Sequence, residues 1–182
     1  MNAVKNLVAA FTLKSAFAAR RDKLYRIAYS WCHDPALADD LVQETIYKAI
    51  KNAANLRDVK TIDGWMYRIL YHCWQDFLRV KGRNVEFVEI HDEAQTDQPD
   101  SYQQAQIVQR VRAAIEKLPL PLREVVTLSD FAGFSYQEIA EITDIPIGTV
   151  MSRLFRARQN LKQQLLDFGS DEFAESKLRR IK

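Results

Sequence analysis

Apolar residues recur at the spacing of an α-helix along most of this chain, and no stretch alternates as a half-buried β-strand would. Leu24, Ile27, Ala28 and Trp31 give an early example. Only 5 Gly and 5 Pro occur among the 182 residues, so few positions interrupt a helix. The pattern therefore predicts an all-α fold.

One acidic stretch breaks the helical pattern. Residues 84–109 hold six acidic side chains and no Lys or Arg, and their centre, at 92–100, is polar and without periodicity. Such a segment buries too little apolar surface to offset the entropy lost on ordering it. We therefore expect two small helical domains with a flexible acidic linker between them and a tail after the second. The expected bounds of domain, linker, domain and tail are 1–83, 84–101, 102–168 and 169–182.

Composition places the chain among ordinary globular proteins. Hydrophobic residues make up 47% and charged residues 27%, and a net charge of +2 is too small to indicate nucleic-acid binding by itself. No stretch approaches the ~20 apolar residues of a membrane helix, and the N-terminus lacks the cleavage pattern of a secretory signal. We therefore expect a cytoplasmic protein without membrane insertion.

The two cysteines, Cys32 and Cys73, each adjoin a histidine, which raises the question of a metal site. Adjacent residues on a helix point in different directions, so neither pair is well placed to hold one ion. No CxxC or comparable ligand spacing surrounds them. We expect buried, reduced thiols and no metal or other cofactor.

The segment from Ser135 onward is the most informative part of the sequence. Ser135 and Glu138 have the spacing of a capping box, which starts a short helix. A turn is expected near Pro146, and a longer helix should then run from about Ile147 to about Phe168. A short helix, a tight turn and a longer second helix are the layout of a helix-turn-helix.

The longer helix of this pair has two different faces. Its buried stripe is expected to consist of Val150, Leu154, Ala157, Leu161 and Leu165. The side chains expected to contact DNA are Met151, Ser152, Arg153, Phe155 and Arg156. Arg can donate two hydrogen bonds to guanine, Ser can bond a base edge, and Phe can contact a thymine methyl. The alternative is a basic helix with a solvated face, but an exposed Phe155 and the absence of acids from 145 to 166 favour DNA binding.

An acidic surface is expected on the helix that Asp34 and Pro35 begin, as N-cap and first residue. Leu37, Leu41 and Ile50 are expected to face the core of the domain. The acidic face comprises Asp39, Asp40, Gln43 and Glu44. No histidine or third carboxylate completes a metal or catalytic spacing, so a solvated face and a protein-docking face remain the two open interpretations.

A stretch rich in both aromatic and basic residues precedes Gly82. Its rings are Trp65, Tyr67, Tyr71, Trp74 and Phe77. Aromatic rings beside cations suit single-stranded DNA, since bases stack on the rings and cations neutralise the backbone. The alternative is that most of these rings belong to the core, because Trp65, the aliphatic Ile69 and either Tyr67 or Phe77 follow helical spacing. The polar residues that remain candidates for DNA contact are His72, Gln75, Arg79, Lys81 and Arg83.

Taken together, these motifs resemble the sigma-70 family, in particular its small extracytoplasmic-function (ECF) members, over roughly residues 10–168. The stretch that is similar to family regions 2.1–2.2 is DPALADDLVQETIYKAI, and the one similar to regions 2.3–2.4 is WMYRILYHCWQDFL. The segment from Leu118 to Leu165 is similar to region 4, and its strongest match is IPIGTVMSRLFRAR.

The resemblance implies a sigma factor that binds core RNA polymerase and promoter DNA and is not an enzyme. The first domain would dock on the polymerase clamp through Asp39, Asp40, Gln43 and Glu44 and would read the −10 element. The second would read the −35 element with the exposed face of its last helix. An anti-sigma factor is an expected partner. A helix-turn-helix regulator that binds operator DNA alone is the alternative function.

Two residues depart from the usual family pattern. Met151 stands where the family often has a basic residue, which puts the −35 preference in question. His72 stands where the family often has Asn, close to the bases that are flipped out on promoter opening.

Overall fold

The computed structural model describes residues 15–53, 56, 58, 61–82 and 102–179, and side chains of the last range from 108 to 166. Within these ranges the regular structure is helical and contains no strand, which confirms the all-α prediction. No helix in the described ranges is long and apolar enough to cross a bilayer. The expected linker and Arg83 lie outside the described residues.

In the described part of the first half, the chain forms α1 (Arg21–Cys32), α2 (Pro35–Lys51) and α3 (Ile62–Lys81). Asp34 is the N-cap of α2, as predicted, because its carboxylate accepts hydrogen bonds from the backbone N–H groups of Ala36 (2.9 Å) and Leu37 (3.1 Å). Gly82 is the C-cap of α3. Local capping chemistry therefore sets the ends of these helices.

The core face of α2 differs in part from the prediction. Leu41 is buried, and Leu37 packs against the core, as expected. Ile50 is 40% exposed, so its assignment to the core was wrong. The buried positions around Leu41 are Ala38, Val42, Thr45 and Ala49. Ala49 occupies the core position at this end of α2, and Ile50 is turned about 100° away from it.

The second half begins with α4 (Tyr102–Glu116) and α5 (Leu120–Val126), and α5 continues into one π-helical stretch at Thr127–Phe131. The chain then turns at Gly133, whose φ of 79° suits glycine, before α6 (Tyr136–Thr143) and α7 (Ile147–Arg179). The sequence predicts a helix that ends near Gly133 but does not predict its π-helical end. Helix α7 also runs past the expected end near Phe168, to Arg179.

The two halves pack against each other, and a single cluster of buried side chains runs through both. The indole N–H of Trp31 in α1 donates to the hydroxyl of Thr127 in the π-helical stretch, at 2.8 Å. A guanidinium N–H of Arg123 in α5 donates to the backbone carbonyl of Trp31 at 3.1 Å. Trp31 is 2% exposed, so this part of α1 is buried where the two halves meet.

Candidate nucleic-acid interface

The helix-turn-helix is built by local capping chemistry, as predicted. The Ser135 backbone N–H donates to the Glu138 carboxylate at 2.8 Å, and the Glu138 N–H donates to the Ser135 hydroxyl at 3.3 Å. Hydrogen bonds from Ser135 lower the pKa of Glu138, so the box is made with the ionised carboxylate. Asp144 ends α6 in the left-handed region, at φ 52°, and redirects the chain toward α7.

Helix α7 presents one apolar face to the protein and one exposed face outward. Val150, Leu154 and Ala157 are at most 1% exposed, so the start of the predicted stripe is confirmed. Leu161 is partly buried, whereas Leu165 is 37% exposed, so the stripe ends before Leu165.

The outward face of α7 carries a solvent-exposed aromatic ring. Phe155 is 63% exposed and Met151 is 53% exposed, and both lie in the first turns of the helix. Ser152 and Arg156 on the same face are exposed too. Their bonds are local: the Ser152 hydroxyl donates to the Thr149 carbonyl at 3.0 Å, and Arg156 Nε donates to the Ser152 carbonyl at 3.3 Å.

Two other arginines of α7 have contacts within the protein. Arg153 is half-buried, and its charge lowers the pKa values of Glu124 and Tyr71, which places it toward the other helices rather than beside Phe155. Arg158 donates to the Asp130 carboxylate at 2.7 Å, with further bonds to Tyr136 (3.1 Å) and Ser129 (3.2 Å). The structure thus groups four of the five predicted −35 residues and sets Arg153 apart.

The candidate −10 residues of α3 have different contacts along the helix. Gln75 donates to the Glu124 carboxylate at 2.9 Å, and His72 Nε2 lies 3.6 Å from the Asp144 carboxylate. Arg79 lies 3.3 Å from the Asp76 carboxylate, a contact within the helix. The ammonium of Lys81 lies over the ring of Phe77 at 5.6 Å. His72 and Gln75 therefore face the second half, whereas Arg79 and Lys81 lie at the other end of α3.

Most of the rings in α3 serve the core. Tyr67, Tyr71 and Trp74 are at most 8% exposed, and Trp65 and Phe77 are partly buried. Burial raises the pKa of Tyr71 to about 12. The alternative weighed from the sequence, that these rings pack inside rather than stack on bases, is the one that the structure supports for those three.

Glu124 in α5 was not identified from the sequence. It is 3% exposed, and its carboxylate accepts the indole N–H of Trp74 at 3.0 Å as well as the amide of Gln75. Burial raises its pKa to about 7, although these hydrogen bonds and the nearby arginines act in the opposite direction. The only sequence signal was its place beside the apolar residues Val125 and Val126 in a short predicted helix.

The acidic face of α2 is exposed along its length. Asp40 and Gln43 are exposed, as is Glu44 at the next turn. Asp39 pairs with Arg21 of α1 at 2.5 Å, and Glu44 lies 3.4 Å from Lys48 in its own helix. The four predicted side chains thus lie on one surface of α2.

Neither cysteine has the environment of a reactive thiol. Burial raises the pKa of Cys32 to about 11 and also raises the pKa of Cys73, whose sulfur lies 3.5 Å from the ammonium of Lys48. The described part of the chain contains no cluster of three or more His, Cys, Asp or Glu residues that could hold a metal ion.

Comparison with protein families gives two matches along the chain. Residues 16–84 match the model "Sigma-70 region 2", and residues 108–161 match "Sigma-70, region 4". Relatives include EcfG of Rhodopseudomonas palustris, an ECF RNA polymerase sigma factor (32% identical, 89% of this chain and 90% of the relative), and the RNA polymerase sigma-H factor of Pseudomonas aeruginosa (32%, 79% and 80%). SigE of Mycolicibacterium smegmatis is also 32% identical, but the match spans only 60% of its length.

Solved structures show the same fold. The sigma factor RpoE of Bartonella quintana, in complex with the anti-sigma factor NepR, superposes with a TM-score of 0.68 at 29% identity, over 84% of this chain and 95% of that one. CnrH, in complex with the cytosolic domain of CnrY, has a TM-score of 0.59 at 24% identity, over 88% and 96% of the two chains.

Proposed function

This chain belongs to the sigma-70 family and to its ECF group, and from that membership we propose that it binds core RNA polymerase and directs transcription initiation at specific promoters. The polymerase supplies the chemistry, and this chain supplies DNA recognition without a catalytic site of its own. Its place of action is the cytoplasm, where polymerase and promoter meet. The domains are proposed as 1–83 and 102–168, with the acidic linker at 84–101 and a tail at 169–182.

The −35 element is read by the exposed face of α7. The observation that carries this proposal is Phe155, which is 63% exposed on the first turns of the second helix of a helix-turn-helix. The N-terminal residues of such a helix contact base edges in the major groove. Met151, Ser152 and Arg156 surround Phe155 and supply an apolar contact, a hydroxyl and a guanidinium. Arg153 lies at the edge of this face and would contact DNA only at its margin.

The −10 element is read by the polar side of α3. His72 and Gln75 supply hydrogen-bonding groups for bases, and Arg79, Lys81 and Arg83 supply positive charge for the backbone. The buried rings of Tyr67, Tyr71 and Trp74 hold this helix in place instead of stacking on bases.

The acidic face of α2 binds the polymerase. Asp39, Asp40, Gln43 and Glu44 form an exposed surface that suits a basic partner. Neutralising Asp39, Asp40 and Glu44 to amides is expected to leave the helical circular dichroism spectrum unchanged and to reduce recovery of the protein with core polymerase in a pull-down. Undiminished recovery would count against this face.

An anti-sigma factor is a further proposed partner. Two similar structures were solved as complexes, one with NepR and one with the cytosolic domain of CnrY, and their folds extend over most of this chain. A protein that covers the DNA- and polymerase-binding faces would hold this chain inactive until a signal releases it.

Transcription in vitro tests the proposed function directly. Purified core polymerase is given a pool of genomic promoter fragments with and without this protein, and new start sites are mapped. Start sites that require the protein would support the proposal and would reveal both promoter elements. Specific binding of the free protein to duplex DNA without any new start site would instead indicate an operator-binding regulator.

A further inference from the structure

One lysine of α2 interacts with side chains of both α2 and α3. The ammonium of Lys48 lies 3.4 Å from the carboxylate of Glu44 in its own helix and 3.9 Å from that of Asp76 in α3. It also donates a hydrogen bond to the sulfur of Cys73 in α3, at 3.5 Å. Cys73 is 4% exposed, so the ammonium is held against a buried side chain. Lys48 therefore has a defined position between two carboxylates, one on each helix.

The side chain of Lys48 keeps its charge in this position. Burial lowers its pKa, but the Cys73 thiol and the Glu44 carboxylate act in the opposite direction, and the net change in the pKa of Lys48 is upward. Lys48 thus presents a cation to Asp76 at every pH near neutrality.

Asp76 divides its carboxylate between two cations. One oxygen, Oδ2, lies 3.9 Å from the Lys48 ammonium, and the other, Oδ1, lies 3.3 Å from the guanidinium of Arg79. A carboxylate whose charge is partly balanced by one cation attracts a second cation less strongly. The side chains of Asp76 and Arg79 are 55% and 66% exposed, so their contact is weak enough for a third group to disrupt it. Lys48 therefore weakens the attraction between Asp76 and Arg79.

The contact between Asp76 and Arg79 competes with DNA. Arg79 is one of the residues of α3 to which we assign contacts with the backbone of the −10 strand. A carboxylate and a phosphate are both anionic acceptors for the same guanidinium donors, so Arg79 must give up Asp76 before it binds a phosphate. Any group that draws Asp76 away from Arg79 consequently favours the DNA contact.

We propose that Lys48 is a positioning residue for −10 recognition, which occupies Asp76 and so leaves Arg79 available to the DNA backbone. The proposal rests on the −10 role assigned to Arg79 above. Lys48 acts through its neighbours and not by contact with DNA, because its ammonium is directed at its three protein partners.

Binding of the polymerase complex to a promoter fragment tests this role. The chain is reconstituted with core polymerase, and the fragment comes from a mapped start site and has an unpaired −10 strand. Lys48→Met removes the charge and should weaken binding about two- to fivefold, the range of one exposed ion pair. Lys48→Arg should bind as wild type does, and so should Lys51→Met, an equal loss of charge on the next turn of α2. Equal losses in Lys48→Met and Lys51→Met would overturn the proposal.

Substitutions in α3 show whether Lys48 acts through its neighbours. In an Arg79→Ala background, Lys48→Met should cause no further loss, because the residue that it positions is absent. Asp76→Asn removes the competing carboxylate, so it should tighten binding more in Lys48→Met than in wild type. If Lys48→Met does not fold, the two exposed positions of α3 still decide: the gain from Asp76→Asn should be smaller once Arg79 is replaced. An equal gain with and without Arg79 would refute the competition.

The salt dependence of binding distinguishes positioning from direct contact. Loss of one phosphate contact with a single strand reduces the slope of log K against log salt by about 0.7. Arg79→Ala and the double variant Arg79→Ala/Lys48→Met should therefore have the same slope. A double variant that loses about 1.4 would mean that Lys48 binds a phosphate itself, which would overturn the proposal.

Formation of the complex is scored separately from DNA binding. A wild-type chain that forms no complex with core polymerase would refute the proposed function and, with it, the −10 role on which this inference rests. A complex that initiates transcription, but in which the effects of Lys48→Met and Arg79→Ala are additive, would refute the positioning role alone.

Discussion

The two DNA-reading faces proposed for this molecule are in opposite states. On α7, Phe155 and Met151 are more than half exposed, and the bonds of Ser152 and Arg156 are confined to their own helix. On α3, Gln75 and His72 contact carboxylates that come from 49 and 72 residues further along the chain. The proposed −35 side chains are thus exposed without a partner from another helix, whereas two of the proposed −10 side chains already contact the second half.

The largest expected effect distinguishes a buried residue of α7 from an exposed residue on the proposed −35 face. Leu154 is 1% exposed and Phe155, its neighbour, is 63% exposed. Leu154→Ala should lower the free energy of unfolding by about 2–5 kcal/mol, because it leaves a cavity in the core. Phe155→Ala should change it by less than about 0.5 kcal/mol and should still abolish −35-dependent transcription. Urea denaturation followed by circular dichroism measures both, and equal losses of stability would show that Phe155 is a packing residue.

Arg156 on the proposed −35 face gives the next largest effect. Arg156→Ala is expected to weaken promoter binding by roughly 1–3 kcal/mol if the guanidinium makes a bidentate contact with a base. The matched control is Lys162→Ala, an equal loss of charge further along the same helix. Competition between promoters with wild-type and altered −35 elements measures the preference. A −35 preference that Arg156→Ala leaves intact would remove Arg156 from the reading face.

The smallest effect concerns the hydrogen bonds that fix α7, and with it the proposed −35 face, to the rest of the second half. Arg158 joins α7 to Asp130, Tyr136 and Ser129, and at this exposure the pair with Asp130 is worth about 0.2–1 kcal/mol. Arg158→Lys keeps the positive charge but loses the several hydrogen-bond donors of the planar guanidinium. It should therefore weaken discrimination between −35 elements slightly without changing the salt dependence of binding. A fall of about one in the slope of log K against log salt for Arg158→Ala would mean that Arg158 contacts a phosphate instead.

Features that depend on neighbouring residues in the chain could be predicted from the sequence. The caps at Asp34 and Ser135, the turn before Ile147 and the exposure of Phe155 all follow from spacings of a few residues. The motifs quoted from the sequence overlap the two family regions that the chain matches. The helix-turn-helix could be predicted from the sequence because its geometry is determined by residues close together in the chain.

Features that depend on distant residues could not be predicted. Ile50 and Leu165 continue an apolar period, but no neighbouring element covers them, so they are exposed. Trp31 and Thr127 meet across 96 residues of sequence, and Glu124 is buried only because Trp74 and Gln75 reach it from α3. Periodicity indicates which face of a helix is apolar, and it does not indicate which other helix will meet that face.

The contact between Trp74 and Glu124 gives the molecule an intrinsic optical signal. Of its three tryptophans, Trp31 and Trp74 lie where the two halves meet, and both indole N–H groups bond to residues of the second half. Trp65 instead packs beside Phe17, with ring centroids 6.1 Å apart. Separation of the halves would transfer two indoles to water, and their fluorescence would shift to longer wavelength. Separation of the halves in the free protein can therefore be followed in real time without an added label.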